Sequence, residues 1–414
     1  MKKLLVPLCL LLAGLGWVAF ALMFPGNGDA ERVGVAESDS GFLKAYWEHP
    51  VATKDAPPKG WQALEANLHP KACAQCHEAQ FEDWKDSLHA HAYSPGLIGQ
   101  FPGMGHAAAN DCLICHAPLK EQMYVGTTDM MDSLKQMLAH QEGFDRKAQV
   151  KDKPLPLRHA GVTCASCHVR GWRRFGPPPK ESRALGQIKG SAHGGFTAMK
   201  EFEQSAFCAS CHQFPQSMAI NGKPLENTLE EWKQSRFERE GVQCQNCHMP
   251  ERRHEFRGIH DPEMVRRGLD FKLKRSMDGG SLTITSRWIG HAFPTYVTPE
   301  VIIQAEALDR KGKQLRAWQW EIVREVAFTT GWTEIRDVRL MPGESRSYLA
   351  ESVPEGSKVI RFQVRVIPDQ FYKGIYQHLL AGELENDARA LINRALAHAD
   401  ENDYTLYEEE LELP

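Results

Sequence analysis

The chain has 414 residues, enough for two or three domains, with 25% charged and 42% hydrophobic residues. The formal net charge of −4 supplies no global attraction to polyanions, which argues against a nucleic-acid partner. Eleven cysteines leave no spare set for a disulfide framework, because ten of them fall in five Cys-x-x-Cys-His units and the eleventh is Cys9.

In chain order, Lys2 and Lys3 precede an uncharged apolar run from Leu4 to Phe24. Basic residues before such a run mark an export segment, and its length is close to the roughly 20 residues that span a bilayer as a helix. Two outcomes are open: an uncleaved anchor over residues 1–25, favoured by the run length, or a signal cut near Ala19-Phe20-Ala21. Both put the remainder outside the cytoplasm, in the periplasm or on the extracytoplasmic face of the inner membrane. Cys9 reads as a small buried apolar residue.

Residues 26–70, with Gly26-Asn27-Gly28 and Pro57-Pro58, read as a linker or loosely packed arm. Residues 71–277 hold the five units CAQCH (73–77), CLICH (112–116), CASCH (164–168), CASCH (208–212) and CQNCH (244–248). Their first cysteines are 39, 52, 44 and 36 residues apart, too irregular for a solenoid. Within this region Glu82-Asp83-Trp84-Lys85-Asp86-Ser87 echoes Glu230-Glu231-Trp232-Lys233-Gln234-Ser235, and Gly161-Val162-Thr163-Cys164 echoes Gly241-Val242-Gln243-Cys244. Phe81, Trp84 and Leu88 have the spacing of one helical face. Five residues beyond each tryptophan stand His89 and Phe237. Pro177-Pro178-Pro179 is an extended spacer.

The pattern changes after residue 277. Ile360, Phe362, Val364 and Val366 alternate with polar residues, as do Val301, Ile303 and Ala305; Asp309–Gly312 is a turn leading to a strand over 315–323. With strands over 281–288 and 346–351, residues 278–367 read as a small antiparallel β-sandwich, so the fold class is α+β: a helix-and-loop domain poor in regular structure, then the sandwich. Residues 368–414 hold a helix with Leu391, Ile392, Ala395 and Leu396 on one face, and then a solvated tail in which seven of the last 15 residues are acidic.

Cys-x-x-Cys-His is the attachment signature of c-type haem. Two thiols add to the two vinyl groups of the porphyrin, and the following imidazole reaches the iron from the same side. A zinc site needs ligands in fours and does not require histidine after every second cysteine. The expectation is five covalently bound haem c groups on Cys73, Cys76, Cys112, Cys115, Cys164, Cys167, Cys208, Cys211, Cys244 and Cys247, with proximal ligands His77, His116, His168, His212 and His248. Five porphyrins would supply the core that side chains between residues 71 and 262 do not.

Thirteen further histidines are available for the second axial positions, and a haem without such a ligand can bind a small molecule. The candidates are His89 and His193, which share a Ser-x-His context, then His106, His260 and His291. His91, His159 and His254 rank behind them. His49, His69, His140, His378 and His398 read as solvated, and Met104 and Met123 as packing residues. Residues 252–275 hold eight Arg or Lys and read as a solvated face that neutralises haem propionates, ahead of a docking face for an acidic partner.

These stretches resemble the multihaem cytochrome c family that includes the tetrahaem electron acceptor of hydroxylamine oxidation. The similar segments are CAQCHEAQFEDWKDSLHAH (73–91), GVTCASCHVRG (161–171) and EWKQSRFEREGVQCQNCHMP (231–250). The family's Trp-x-x-Ser-x-His element matches Trp84, Ser87 and His89, which places His89 ahead of His91. Its Cys-His-Met-Pro element with a downstream histidine matches 247–250 and His260. The likeness covers roughly residues 70–300 and bears on haem binding more than on physiological role. This chain departs from it in having five sites and in carrying Phe237.

The resulting expectation is an exported pentahaem cytochrome that relays electrons between redox partner proteins through closely spaced, mostly bis-histidine haems. Two alternatives stand beside it: a reductase or oxidase of a small nitrogen or sulfur compound at one five-coordinate haem, and a subunit of a polymeric cytochrome assembly.

Overall fold

The computed structural model describes residues 41–51, 56–139, 156–179, 195–328 and 331–414. The apolar run at 4–24, His140 and His193 lie outside them. No helix among the described residues is long and apolar enough to cross a membrane. The chain forms two compact units: one of residues 1–211, 243–256 and 376–396, the other of 212–242, 257–375 and 397–414.

The first unit is built from short helices and several small apolar clusters. Phe101–His116, broken at Gly105 (φ 78°), carries the second motif at its end. Its core joins Ile98, Phe101, Leu113, Met130 and Leu134 to Leu391. The helix of Asn386–Glu401 approaches this core closely because Gly99 has no side chain: a Cβ there would stand 2.9 Å from Ile392 Cδ1. Leu391, Ile392 and Ala395 are buried, as their spacing predicts. Met104 and Met123 pack against the same cluster.

Residues 41–51, expected to belong to a loose arm, are instead part of a core. Leu43, Tyr46, Trp47 and Val51 are buried with Leu119, Ala165, Val169 and Phe207. The Tyr46 hydroxyl donates to the Cys167 carbonyl at 2.6 Å and Arg170 Nε donates to the Tyr46 carbonyl at 2.6 Å. These aromatic contacts join residues more than a hundred positions apart, so local sequence does not announce them.

The second unit contains the expected sandwich. One sheet orders Ser345–Ala350, Gly280–Ser286 and Leu269–Arg275; the other orders Tyr404–Glu412, Val359–Ile367, Glu300–Leu308 and Gln314–Ile322. Pairing within both is antiparallel, with Phe362 opposite Ala305 and Val364 opposite Ile303. Leu282, Ile284, Val301, Ile303, Ile360, Phe362, Val364 and Val366 interdigitate in one core. Each such side chain contributes about 1.5–3 kcal/mol by leaving water. The acidic C-terminus, expected to be solvated, is an edge strand: Leu406 faces the core while Glu410 bonds Arg361 and Glu408 bonds Gln363. Opposite charges across the strand pair offset the acidic repulsion that suggested a tail.

A separate hairpin of Arg324–Phe328 and Trp332–Asp337 holds the 220–225 loop. Arg324 is fully buried; it donates to Glu334 at 2.8 Å and to the Lys223 carbonyl at 2.8 Å. A buried guanidinium is tolerated when its donors are satisfied in this way.

Candidate haem-binding site

Four of the five Cys-x-x-Cys-His motifs lie on helix and the first on the turns that follow the helix of Pro70–Cys73, which places the two thiols and the imidazole on neighbouring positions. Cys164–His168 and Cys244–His248 are helices in full, Ala209–His212 nearly so, and Cys112–His116 is the last turn of a longer helix. In the first motif the His77 amide bonds the Cys73 carbonyl at 2.9 Å.

Three of the five motif histidines have the tautomer that metal ligation requires. His116 Nδ1 meets the Ala92 carbonyl at 3.0 Å and His168 Nδ1 meets the Phe175 carbonyl at 2.7 Å. A carbonyl only accepts, so Nδ1 carries the proton and the lone pair is on Nε2. His212 Nδ1 meets Glu226 Oε1 at 3.1 Å in the same sense. Such anchoring of the remote ring nitrogen by a carbonyl or carboxylate accompanies metal-bound histidine generally. Burial, the largest cause, lowers the His168 pKa to about 4, so the ring is neutral at neutral pH. The residues therefore fit haem iron.

Two pairs of motifs meet through sulfur. The thiols of Cys73 and Cys164 hydrogen-bond, which raises Cys164 and lowers Cys73, and the thiol of Cys208 is raised by its hydrogen bond with Cys244. Burial, the largest cause, pushes Cys167 up to about 11.

The other histidines divide by their partners. His254 Nδ1 meets the Arg252 carbonyl at 2.9 Å, and its ring centre is 6.3 Å from that of His168. Two imidazoles on opposite faces of one metal, with bonds of about 2 Å each, have ring centres about 6 Å apart. Sequence ranking placed His254 behind His260, whose Nε2 instead lies 3.0 Å from Asp369 Oδ2, with Nδ1 buried and without a hydrogen-bond partner. His89 packs edge-on to Phe256, ring centres 4.3 Å apart. His106 Nδ1 is 3.3 Å from Thr127 Oγ1. His291 Nδ1 bonds the Ala292 carbonyl at 2.9 Å.

His159 is engaged by protein, with Nε2 2.9 Å from Ser133 Oγ and its ring stacked on Tyr93. His69 Nδ1 accepts from the Lys71 amide and caps a short helix. His378 is exposed. In the basic segment, Arg253 forks onto Asp83, Arg252 pairs with Glu203, and Arg257 with Asp261 and Glu263. These three charges are met by carboxylates of the chain itself.

The sequence echo is also an echo in space. Trp84 Nε1 donates to the Val162 carbonyl and Trp232 Nε1 to the Val242 carbonyl, both at 2.9 Å. The Val162 amide returns to the His89 carbonyl and the Val242 amide to the Phe237 carbonyl, both at 2.8 Å. Phe237 thus occupies the backbone position of His89. The first helix ends at Trp84, so Leu88 lies beyond it and is exposed. Beside Phe237, the Ala292 amide donates to Glu231 at 3.0 Å, and a Cβ on Gly290 would touch the Phe237 ring at 3.4 Å. Arg339 pairs with Glu231 at 3.0 Å, both buried. These contacts bring His291 next to the second tryptophan element, a placement no sequence pattern carried.

Known proteins similar in sequence or fold are cytochromes. Residues 99–261 match the family model for outer membrane cytochrome MtrC/MtrF-like, domains II/IV. Cytochrome c-552 of Aliarcobacter butzleri is 25% identical over 192 residues, 45% of this chain and 36% of that protein. Cytochrome c-554 of Nitrosomonas europaea is 25% identical over 155 residues, 34% of this chain and 55% of that protein. The chain therefore matches between about a third and about half the length of these curated relatives. A penta-heme cytochrome c552 from Thermochromatium tepidum shares the fold with a TM-score of 0.57 at 19% identity, covering 85% of this chain and all of that one. These likenesses are to multihaem c-type cytochromes, and the chain has the fold of a pentahaem cytochrome c552.

Proposed function

We propose that the protein is an extracytoplasmic electron relay carrying five covalently attached haem c groups, one on each motif, with His77, His116, His168, His212 and His248 as proximal ligands. When bound, the haem irons supply one-electron redox chemistry. The observation that carries the reading is the packing of motif against motif: the thiols of Cys73 and Cys164 and of Cys208 and Cys244 shift each other by hydrogen bonding, and the Cys244 amide donates to Ser205 Oγ, three residues before Cys208, at 3.0 Å. Attachment points this close would hold their porphyrins as neighbours. Histidine on both axial positions suits electron transfer, since it leaves no coordination site for a substrate. His254, opposite His168, is the best-placed second ligand, and His89, His106, His193, His260 and His291 are the further candidates. His291 stands beside Phe237 and so offers the imidazole that this copy of the tryptophan element lacks. Placement outside the cytoplasm follows from the apolar run at 4–24, which would also tether the protein to the inner membrane. Electrons would pass between donor and acceptor proteins.

The test is expression with a c-type maturation system. Five covalent haems per chain by pyridine haemochrome, all low-spin and inert to carbon monoxide when reduced, are expected. A colourless chain, or zinc in the motifs, overturns haem attachment. A stoichiometric carbon monoxide adduct overturns the relay in favour of a reductase or oxidase.

A further inference from the structure

We propose that His49, which local sequence marks as solvated, is an axial ligand of one of the haems. Both ring nitrogens of His49 are shielded from solvent and neither has a hydrogen-bond partner. A neutral imidazole has one donor and one acceptor, and leaving both buried and unmet costs about 1–3 kcal/mol each. Native proteins seldom retain such a group unless something outside the chain meets it.

The surroundings say what that is. His49 follows Trp47, whose ring stacks on it with centres 6.1 Å apart. Trp47 packs edge-on against Phe207, the residue before Cys208, with centres 5.0 Å apart. The Val51 amide donates to the Pro118 carbonyl at 2.7 Å, two residues beyond His116. The Tyr46 hydroxyl is fastened to Cys167. His49 is thereby held among three attachment motifs, on a segment that hydrogen bonds and aromatic packing immobilise. Burial, with Arg170 as the smaller cause, lowers its pKa to about 4, so the ring keeps the lone pair that a metal takes. Haem attached at these motifs would supply an iron that takes the lone pair of one imidazole nitrogen.

This inference rests on haem attachment at the motifs, and the experiment separates the two. Wild type and His49→Ala are matured and purified in parallel, and covalent haem is counted in each. Fewer than five haems in the wild type is a failure of the haem reading itself. With five in both, His49→Ala is expected to convert one haem in five from low-spin to high-spin by electron paramagnetic resonance, and that haem binds carbon monoxide when reduced. Added imidazole restores the low-spin signal. Five haems with an unaltered spectrum overturn the assignment. If His49→Ala fails to fold, His49→Met decides: a thioether–iron charge-transfer band in one haem supports the assignment, and its absence from a five-haem product overturns it.

Discussion

In the first tryptophan element the indole of Trp84 bonds Val162, and His89 projects towards Phe256; in the second the indole of Trp232 bonds Val242, and Phe237 is buried at 5% exposure in the same backbone position. Both elements approach a Gly-Val pair with the glycine at positive φ, 60° at Gly161 and 71° at Gly241. Serine two residues before the variable position bonds a nearby amide in each, Ala90 in one and Phe237 in the other. The backbone of the element is therefore set by an indole donor, a turn glycine and a serine, none of which ligates iron. Because the side chain at the variable position is not what shapes the element, that position is free to carry imidazole or phenyl, and an imidazole can enter from elsewhere in the fold.

The sharpest way to break the likeness is at the glycines. Gly161→Ala forces a Cβ to 2.5 Å from the His89 carbonyl oxygen, in a conformation (φ 60°, ψ −138°) that side chains avoid. It is expected to cost about 3 kcal/mol or more. Gly241→Ala meets nothing within 4 Å and is expected to cost about 1 kcal/mol, from backbone conformation alone. Denaturant unfolding of the two holoproteins measures the gap; equal losses would show that the two turns are not differently packed.

The indoles come next. Trp84→Phe removes the bond from a buried indole to the Val162 carbonyl and is expected to cost about 2 kcal/mol, against about 1 kcal/mol for Trp232→Phe, whose indole is half-buried. A larger loss at Trp232 would reverse the ranking. A similarly small effect on stability, about 1 kcal/mol, is expected of Phe237→His. Its readout is spectroscopic. His291→Ala should turn one haem high-spin, and the double variant with Phe237→His should restore low-spin character. Failure of the restoration in a five-haem product would show that the two elements do not present their side chains to equivalent places.

The cysteine motifs, the sandwich strands and the C-terminal helix are legible because each depends on residues close in sequence: a two-residue spacing, an alternation, a helical stripe. The strand of Leu269–Arg275 is harder to read, since basic residues on its solvent face made it look like part of a charged loop. The edge strand of Tyr404–Glu412 was hidden by its own acidity, which is matched by Arg361 and Gln363 some fifty residues away. The histidines show the same limit. His254 and His260 lie six residues apart in one loop, and only folding sets one opposite His168 and the other against Asp369.

Sequence by itself determined that this chain carries five Cys-x-x-Cys-His units, because a signature for thioether attachment and proximal ligation uses contiguous residues whose order is the chemistry. Tertiary structure alone decided which motifs meet, that residues 41–51 form core, and which imidazoles are withheld from solvent. Those outcomes depend on packing between distant segments, and an imidazole becomes an available ligand only where burial and hydrogen bonding strip it of other partners.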